Sequence, residues 1–363
     1  MKVPQFMPFI GDEEYAEIKS CFDSTWITEG PKSKEFAEKL CKIIGCKYGV
    51  FAPNGTLALY LGLRAIGIGP GDEVIVPDFT FIASANAVEM TGAKPVFVDV
   101  DFHCQIDVNR CREVLTDKTK AIMPVHMYGM ASNMPEVSDF AKTHNLLVIE
   151  DSAQALGVKY NSIGCGSWGD VGCFSFFADK TITTGEGGFV TTNNDETYSA
   201  LRYLRNQGRL NRGTFEHPKI GYNFRMTDLQ AAVGLAQLRK FQTIVNKKLE
   251  AFRKYSTMIP DNCAVISPSK HSTCIPFRVV VMTPLKSSVV LAGFSERGVE
   301  GRGCFYPLHK QPCYRQYNCV DENYPVSNRL YDSGVCLPSF TSISDAEIEY
   351  ICKCLAEIVG EGK

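Results

Sequence analysis

From about residue 35 to residue 193, short apolar segments of strand length alternate with amphipathic segments of helix length. Each apolar segment has four or five residues, and most are rich in valine, isoleucine or phenylalanine, as expected of strands buried on both faces. These segments are 48–52, 73–76, 95–98, 121–125, 146–149 and 173–177, and helix-period stretches such as 56–66 and 135–144 separate most of them. The alternation predicts an α/β fold, in which helices flank a mostly parallel sheet.

The pattern changes after Phe224. Thr227 and Asp228 are expected helix caps. Apolar residues then recur at helical spacing and predict one long helix that leaves the first domain; they are Leu238, Phe241, Val245, Leu249 and Phe252. Segments 274–282, 287–297 and 346–359 predict a smaller α+β domain. We therefore expect a large domain over residues 1–245 and a small C-terminal domain over residues 246–363, in line with about 150 residues per domain.

Composition argues against several classes of protein. A net charge of −2 gives no reason to expect a nucleic acid or an anionic membrane as partner. Fifteen cysteines without a C-x-x-C pair argue against a disulfide framework and a metal site, so reduced thiols and a cytoplasmic protein are expected. The N-terminus has prolines and an acidic cluster where a signal peptide needs an unbroken apolar core. No apolar run approaches the roughly 20 residues that span a bilayer.

The first predicted strand is followed by Asn54-Gly55-Thr56 and then by a helix. Glycine lets the backbone approach an anion closely, and the start of a helix offers free N–H groups at a positive dipole end. The turn is therefore a possible phosphate site, with an ordinary strand-to-helix turn as the alternative.

Three further side chains follow other predicted strands. Asp151 comes directly after the strand 146–149 and Glu150, where its carboxylate could hold a protonated ring nitrogen or cap the segment 152–156. Gln154 lies three residues on and could reach the same ligand. Phe81 follows the strand 73–76 and could stack on a heteroaromatic ring or pack in the core.

Lys180 lies between an apolar strand, which also carries Ser175, and a glycine-rich turn. Desolvation disfavours an ammonium, so a lysine beside a cofactor would have a lowered pKa and become a nucleophilic amine. The alternative is a solvated charge at a loop edge. In an open α/β sheet, ligands bind beyond the carboxyl ends of the strands, so these side chains are expected to converge there.

Two glycine-rich segments resemble dinucleotide loops only superficially. Residues 67–71 follow a helix and precede a strand, the reverse of the order that pyrophosphate binding needs. Residues 185–188 run into the predicted strand 189–192 and are interpreted as a turn. A nicotinamide enzyme is therefore not expected.

Segments along the whole chain resemble those of fold-type I enzymes that depend on pyridoxal 5′-phosphate (PLP), specifically the DegT/DnrJ/EryC1/StrS family. They are STWITEGP (24–31), NGTLAL (54–59), GPGDEVIVPDFTFIASANAV (69–88), MPVHMYG (123–129), VIEDSAQALG (148–157), CFSFFADKTITTGEGG (173–188), GYNFRMTDLQAA (221–232) and FYPLHKQP (305–312). Several resemble members that aminate C4 of a keto sugar.

The resemblance implies a role in cofactor binding for residues already noted. Lys180 corresponds to the lysine that carries PLP, and Asp151 to the partner of its ring nitrogen. Gln154 would contact the ring hydroxyl and Phe81, where many relatives have Tyr or Trp, would stack on the ring. The phosphate would be bound by Gly55, Thr56 and Ser175.

The resemblance also implies an assembly and a sugar site. Asn223 corresponds to an asparagine that reaches the phosphate of the neighbouring subunit's cofactor, which implies a homodimer with active sites at the interface. Residues in segments that line the family's substrate site are Trp26, Thr28, Arg302, Tyr306 and His309. Of these, His309 could equally be structural, and Arg302 could be a surface arginine instead of a phosphate contact.

The expected reaction moves an amino group from L-glutamate to a nucleotide-linked 4-keto-6-deoxyhexose and yields a 4-amino-4,6-dideoxy sugar. The alternatives are amination of a 3-keto sugar, another PLP-dependent reaction on a sugar, and a PLP-binding homologue without catalysis. Lys180 argues against the relatives that carry histidine there and dehydrate their substrate. The sequence leaves open whether the nucleotide is GDP, UDP or dTDP.

Overall fold

The computed structural model describes residues 1–209, 213 and 215–361. Its central feature is a seven-stranded sheet with the strand order β1-β9-β8-β5-β4-β2-β3. The first nine strands of the chain are β1 (Tyr48–Ala52), β2 (Glu73–Pro77), β3 (Lys94–Val98), β4 (Thr119–Ile122), β5 (Leu147–Asp151), β6 (Lys159–Tyr160), β7 (Ile163–Gly164), β8 (Val171–Ser175) and β9 (Gly188–Thr192). Within the large sheet, only β9 runs antiparallel to its neighbours.

Helices cover both faces of this sheet. They are α1 (Asp12–Asp23), α2 (Pro31–Ile44), α3 (Gly55–Ala65), α4 (Ala83–Met90), α5 (Val108–Glu113), α6 (Met134–Thr143), α7 (Asp195–Arg205), α8 (Asp228–Arg239) and α9 (Phe241–Met258). Alternation along β2 shows why its sequence is apolar throughout: Val74 and Val76 pack in a cluster with α3 and α4, whereas Ile75 packs on the other side with α6. The predicted α/β fold is confirmed.

The predicted single long helix after Thr227 is wrong, because it is two abutting helices, α8 and α9. The helical hydrogen-bond ladder tightens at Lys240, whose N–H donates to Gln237 three residues back. Thr227 caps α8 as expected. Asp228 is not a cap of its own helix: its carboxylate accepts hydrogen bonds from the N–H groups of Gly30 and Ser33 at the start of α2.

A second, smaller sheet lies towards the C-terminus and is antiparallel. Its order is β10-β11-β13-β12, with β10 (Ala264–Val265), β11 (Val279–Met282), β12 (Arg302–Gly303) and β13 (Gly334–Leu337). The helices of this part are α10 (Ser287–Glu296), α11 (Pro325–Ser333) and α12 (Asp345–Glu361). Its apolar core also takes Ala251 and Tyr255 from α9. This architecture agrees with the expected smaller α+β part.

The proposed division into two domains at residue 245 stays a prediction. Two segments pack in the core of the part to which they do not belong by sequence. Val3, near the N-terminus, pairs with Val299 and packs in the core of the small sheet. Leu308 and Tyr314, from the C-terminal part, pack in the core of the large sheet. The two parts are thus joined by exchanged segments as well as by α9.

Three properties of the described residues bear on function. All 15 cysteines, which lie within the described ranges, are free thiols. No group of three or more His, Cys, Asp or Glu side chains among those residues could hold a metal ion. No helix in the described part of the chain has the length and apolar character needed to cross a membrane.

Candidate active site

The carboxyl ends of β1, β5 and β8 meet at one edge of the large sheet, because these strands run in the same direction. A cavity of about 380 Å³ opens there. Eight of the residues singled out in the sequence line it: Gly55, Thr56, Phe81, Asp151, Gln154, Ser175, Lys180 and Arg302. A larger, open groove of about 1080 Å³ lies elsewhere, along the free edge of β1.

The start of α3 forms one wall of the cavity. Asn54 caps this helix, since its Oδ1 accepts a hydrogen bond of 2.9 Å from the N–H of Leu57. A Cβ on Gly55 would lie 2.8 Å from Cβ of Ser175, so glycine is required for the helix start to approach β8 this closely. The first N–H groups of a helix have no partner within it and carry the positive end of its dipole. This wall is suited to a phosphate group.

Asp151, the last residue of β5, is a buried carboxylate with a side that faces the cavity. Its Oδ2 accepts a hydrogen bond of 2.7 Å from the Ser84 hydroxyl, and its Oδ1 accepts one from the N–H of Ala153. Burial raises the pKa of Asp151, while Ser84 and Lys180 act in the opposite direction. Residues 152–156 form turns and no helix, and the contact of Oδ1 with Ala153 caps the first turn of this segment, so Asp151 both caps the segment and lines the cavity. A cationic ring nitrogen would provide the charge partner that a buried carboxylate needs.

A hydrogen-bond network behind Asp151 fixes the end of β5. The N–H of His126 donates to the carbonyl of Asp151 at 3.0 Å. Glu150, which points away from the cavity, accepts from the backbone N–H groups of Gly166 and Trp168 and pairs with Nε2 of His126 at 2.9 Å. The backbone that presents Asp151 is therefore held from both sides.

Gln154 and Phe81 also line the cavity. Oε1 of Gln154 accepts a hydrogen bond of 2.8 Å from the N–H of Tyr128, which fixes the orientation of the amide. Phe81 is 54% exposed, and its ring lies 5.9 Å from that of Phe305 between centroids. Its neighbour Phe79 is the buried residue of this segment. The core alternative for Phe81 is thus not realised, and its ring is available to a ligand.

Lys180 lies in the loop between β8 and β9 and is half-buried. Its Nζ lies 4.3 Å from the centroid of the Phe277 ring. Desolvation lowers the pKa of Lys180, and Arg278 lowers it further, whereas Asp179 and Asp151 oppose the shift. A larger fraction of the amine is therefore neutral and nucleophilic than in a solvated lysine.

The residues expected to bind the sugar, unlike those expected to bind the cofactor, do not all line this cavity. Arg302, on β12, lines the cavity. Trp26 lines the groove along β1 instead, and Thr28 is exposed beside it. Tyr306 packs edge-on against Tyr331.

His309 and Asn223 also lie outside the cavity of their own chain. His309 is buried between two carboxylates, with Nδ1 2.7 Å from Asp78 and Nε2 2.7 Å from Asp321, and it stacks on Tyr324. His309 therefore has the structural role that the sequence analysis gave as the alternative to sugar binding. Asn223 is exposed and forms an isolated β-bridge with Asn206.

The sequence reasoning missed Asp179, Phe277 and Arg278, all of which line the cavity. Arg278 is buried and forms an ion pair of 2.7 Å with Asp179. The sequence does contain a signal for this pair. Arg278 is a charged residue inside the apolar segment 274–282, and Asp179, which directly precedes Lys180, is a carboxylate that could neutralise it.

The residues present fit PLP. The cavity combines a helix start suited to phosphate, a buried carboxylate suited to a ring nitrogen, an exposed aromatic ring and an amine of lowered pKa. Each of these groups corresponds to one part of the cofactor: phosphate, pyridine nitrogen, ring face and aldehyde carbon.

Comparison with known proteins identifies the family. The model of the DegT/DnrJ/EryC1/StrS aminotransferase family matches residues 8–356. GDP-perosamine synthase of Escherichia coli O157:H7 is 38% identical over 99% of both chains. UDP-N-acetyl-3-dehydro-alpha-D-glucosamine 3-aminotransferase of Acidithiobacillus ferrooxidans is 35% identical and covers 94% of this chain and 92% of its own.

A solved structure gives the same assignment. A candidate sugar aminotransferase from Streptococcus pneumoniae, in its pyridoxamine phosphate form, superposes with a TM-score of 0.94 at 26% identity and covers 99% of this chain and 98% of its own. The fold is therefore fold type I, the cofactor is PLP, and the enzyme is an aminotransferase that acts on nucleotide sugars. The chain belongs to the DegT/DnrJ/EryC1/StrS aminotransferase family.

Proposed function

We propose that the enzyme transfers the amino group of L-glutamate to C4 of a nucleotide-linked 4-keto-6-deoxyhexose, which gives a 4-amino-4,6-dideoxy sugar. The observation that carries this choice is the similarity to GDP-perosamine synthases from three bacteria, at 33–38% identity over at least 97% of this chain. These relatives favour the formation of a 4-amino sugar over other sugar aminations.

In this proposal the chain's residues divide the work at the cofactor end. PLP, when bound, supplies an electron sink for the carbon that loses a proton. Asp151 keeps the ring nitrogen protonated, and the start of α3 with Ser175 holds the phosphate. Lys180 would hold the cofactor covalently, and its amine, when free, would accept the proton that leaves the donor's α-carbon. The lowered pKa of Lys180 suits it to accept that proton.

The proposal includes a homodimer whose partner completes the sugar end. Trp26, Thr28 and Asn223 are exposed and lie outside the cavity of their own chain. Nearby segments also expose large apolar side chains, with Phe215 89% and Ile220 86% exposed. Such exposure is typical of a surface that a partner covers.

Complementation between inactive copies tests this arrangement. A Lys180→Ala copy and an Asn223→Ala copy are each expected to be impaired as pure dimers. Mixed dimers contain one site with both native residues, so activity should return on mixing if Asn223 serves the partner's site. Mixtures no more active than the separate variants would contradict the shared site.

Amination at C3 is the second candidate. The similarity to the 3-aminotransferase of Acidithiobacillus ferrooxidans, at 35% identity, favours it. Both reactions would use the same residues at the cofactor end, so product analysis must separate them.

Product analysis tests the proposal directly. The PLP-loaded enzyme is incubated with L-glutamate and, separately, with 4-keto-6-deoxyhexoses and 3-keto hexoses linked to GDP, UDP or dTDP, and the products are examined by mass spectrometry and NMR. We expect an amine at C4 with one of the nucleotides. Amination only of 3-keto sugars, or of none, would overturn the proposal.

A further inference from the structure

Arg278 is a buried cation on the wall of the active-site cavity to which the expected reaction gives no task. It directly precedes β11 of the small sheet, and its side chain is 7% exposed. Its guanidinium NH2 group lies 2.7 Å from Oδ2 of Asp179. A buried guanidinium needs such a partner, so the ion pair explains how the chain tolerates the charge but not why a charge is placed at the cavity.

The position of Arg278 relative to Lys180 is set by one aromatic ring. Nζ of Lys180 lies 4.3 Å from the centroid of Phe277, and the guanidinium carbon of Arg278 lies 4.7 Å from the same centroid. The two groups are therefore separated by no more than the sum of these distances. A molecule whose amine takes the place of the Lys180 amine would bring a carboxylate on the same short carbon chain into the part of the cavity that Arg278 lines.

The ion pair with Asp179 leaves binding capacity on both partners. A guanidinium presents five N–H donors in a planar fork that matches a carboxylate edge to edge. Asp179 uses only Oδ2 in this contact, and its Oδ1 is buried without a hydrogen-bond partner among the described residues. The contact is thus not a closed two-pronged pair. The amide oxygen of Gln5, in the orientation that satisfies both amide groups, accepts a further hydrogen bond of 3.2 Å from an NH1 group of Arg278. The other donors of the guanidinium remain for another anion.

The two substrates place their charges differently. In a nucleotide-linked hexose, the diphosphate is attached at C1 and lies across the ring from the carbon at position 4. When that carbon reaches Lys180, the diphosphate lies at least a ring's width away, and Arg302, which also lines the cavity, is the arginine left for it in this proposal. An amino acid, in contrast, brings a carboxylate close to its reacting nitrogen.

We propose that Arg278 binds a carboxylate of the amino donor, with Asp179 as the positioning residue that holds the guanidinium in the cavity wall. The inference rests on the proposed aminotransfer and adds the donor subsite to it. It assigns the two cavity arginines to different substrates: Arg278 to the amino acid and Arg302 to the sugar's diphosphate.

Binding of the donor to the PLP-loaded enzyme tests the inference. The dissociation constant of L-glutamate is taken from the concentration dependence of the spectral change that it causes, and that of glutarate, a dicarboxylate without an amine, from calorimetry. Arg278→Ala should raise both constants by roughly 10- to 100-fold, the loss expected for a hydrogen bond to a charged group. Arg278→Lys, which keeps the charge but loses the fork, should lie between. The kcat/KM for the keto sugar, which reports only the second half of the reaction, should stay within about twofold of wild type in both variants.

Asp179→Asn is the matched control, because it breaks the same ion pair and leaves Arg278 in place. Because asparagine can still accept a hydrogen bond from the guanidinium, the binding of glutarate should weaken far less in Asp179→Asn than in Arg278→Ala. If the pair were only structural, Asp179→Asn and Arg278→Ala would weaken binding alike, and that result would overturn the inference. Unchanged glutarate binding in Arg278→Ala would overturn it as well. A wild-type protein that glutamate does not convert at all would instead refute the proposed function.

Discussion

The two ends of the active site differ in how the chain builds them. At the cofactor end, Gly55, Asp151 and Ser175 stand at the ends of parallel strands of one sheet and line one cavity with Lys180. At the sugar end, only Arg302 of the five expected residues lines that cavity. Sheet topology brings strand-end residues together within one chain, whereas the sugar end depends on contacts between distant segments and, in our proposal, on a second copy. Four substitutions test this difference, in order of decreasing effect on catalysis.

Lys180→Ala should abolish turnover, because it removes both the covalent attachment of PLP and the amine that moves the proton. The measurement is glutamate-dependent amination, with the visible cofactor band recorded in parallel. Circular dichroism should show an unchanged fold. A variant with wild-type turnover would refute the assignment of the cofactor end.

Asp151→Asn should lower kcat by roughly two to four orders of magnitude, since breaking a buried charge pair costs about 3–5 kcal/mol. The fold should persist, because Asn can keep the hydrogen bond from Ser84. Steady-state kinetics and thermal unfolding of the same preparation separate the two effects. Near-normal turnover would show that Asp151 does not partner the ring nitrogen.

Gly55→Ala should weaken PLP binding about tenfold, because the new Cβ would lie 2.8 Å from Cβ of Ser175 and push the start of α3 away from the cavity. The measurement is the dissociation constant of PLP by spectral titration. Gly360→Ala, at a glycine with no heavy atom within 4 Å of an added Cβ, serves as the control and should change nothing. Equal PLP affinity in both variants would place the phosphate elsewhere.

His309→Gln should have the smallest effect on catalysis and leave the KM of the sugar unchanged, because His309 lies outside the cavity. Burial opposes protonation of His309, but Asp78 and Asp321 outweigh it and raise its pKa. A raised pKa in the folded state stabilises the protein fully below the unfolded pKa of about 6.5, and this stabilisation is lost as the pH rises through the folded value.

Thermal unfolding against pH measures this contribution of His309. The wild-type protein should lose stability as the pH rises above about 6.5, whereas His309→Gln should be less stable at low pH and show a flatter profile. A large rise in the KM of the sugar in His309→Gln, with an unchanged pH dependence of stability, would show that His309 binds the sugar.

The spacing of apolar residues in the sequence correctly predicted the strands of the large sheet and the residues that follow them at the cofactor end. Strand β1 was predicted at its observed bounds, and the predicted residues of the cofactor end line one cavity because each follows a strand within a few positions. The break at Lys240 was missed, since helical spacing of apolar residues continues across the junction of α8 and α9.

Long-range contacts account for the rest. The pair of Asp179 and Arg278 joins residues 99 positions apart, and the contact of His309 with Asp78 joins residues 231 positions apart. The spacing of residues in the sequence does not indicate which buried charged residues form pairs. These contacts could therefore be identified only from the structure. The placement of Trp26 and Asn223 relative to a partner's cavity belongs to the same class of contact and stays a prediction.

The absorbance spectrum of the PLP-loaded protein before and after addition of L-glutamate tests the central claim most directly. We predict a visible band from the cofactor on Lys180 that glutamate converts to the near-ultraviolet band of pyridoxamine phosphate. No visible band after incubation with PLP, or a band that glutamate leaves unchanged, would contradict an aminotransferase that takes its amino group from glutamate at this site.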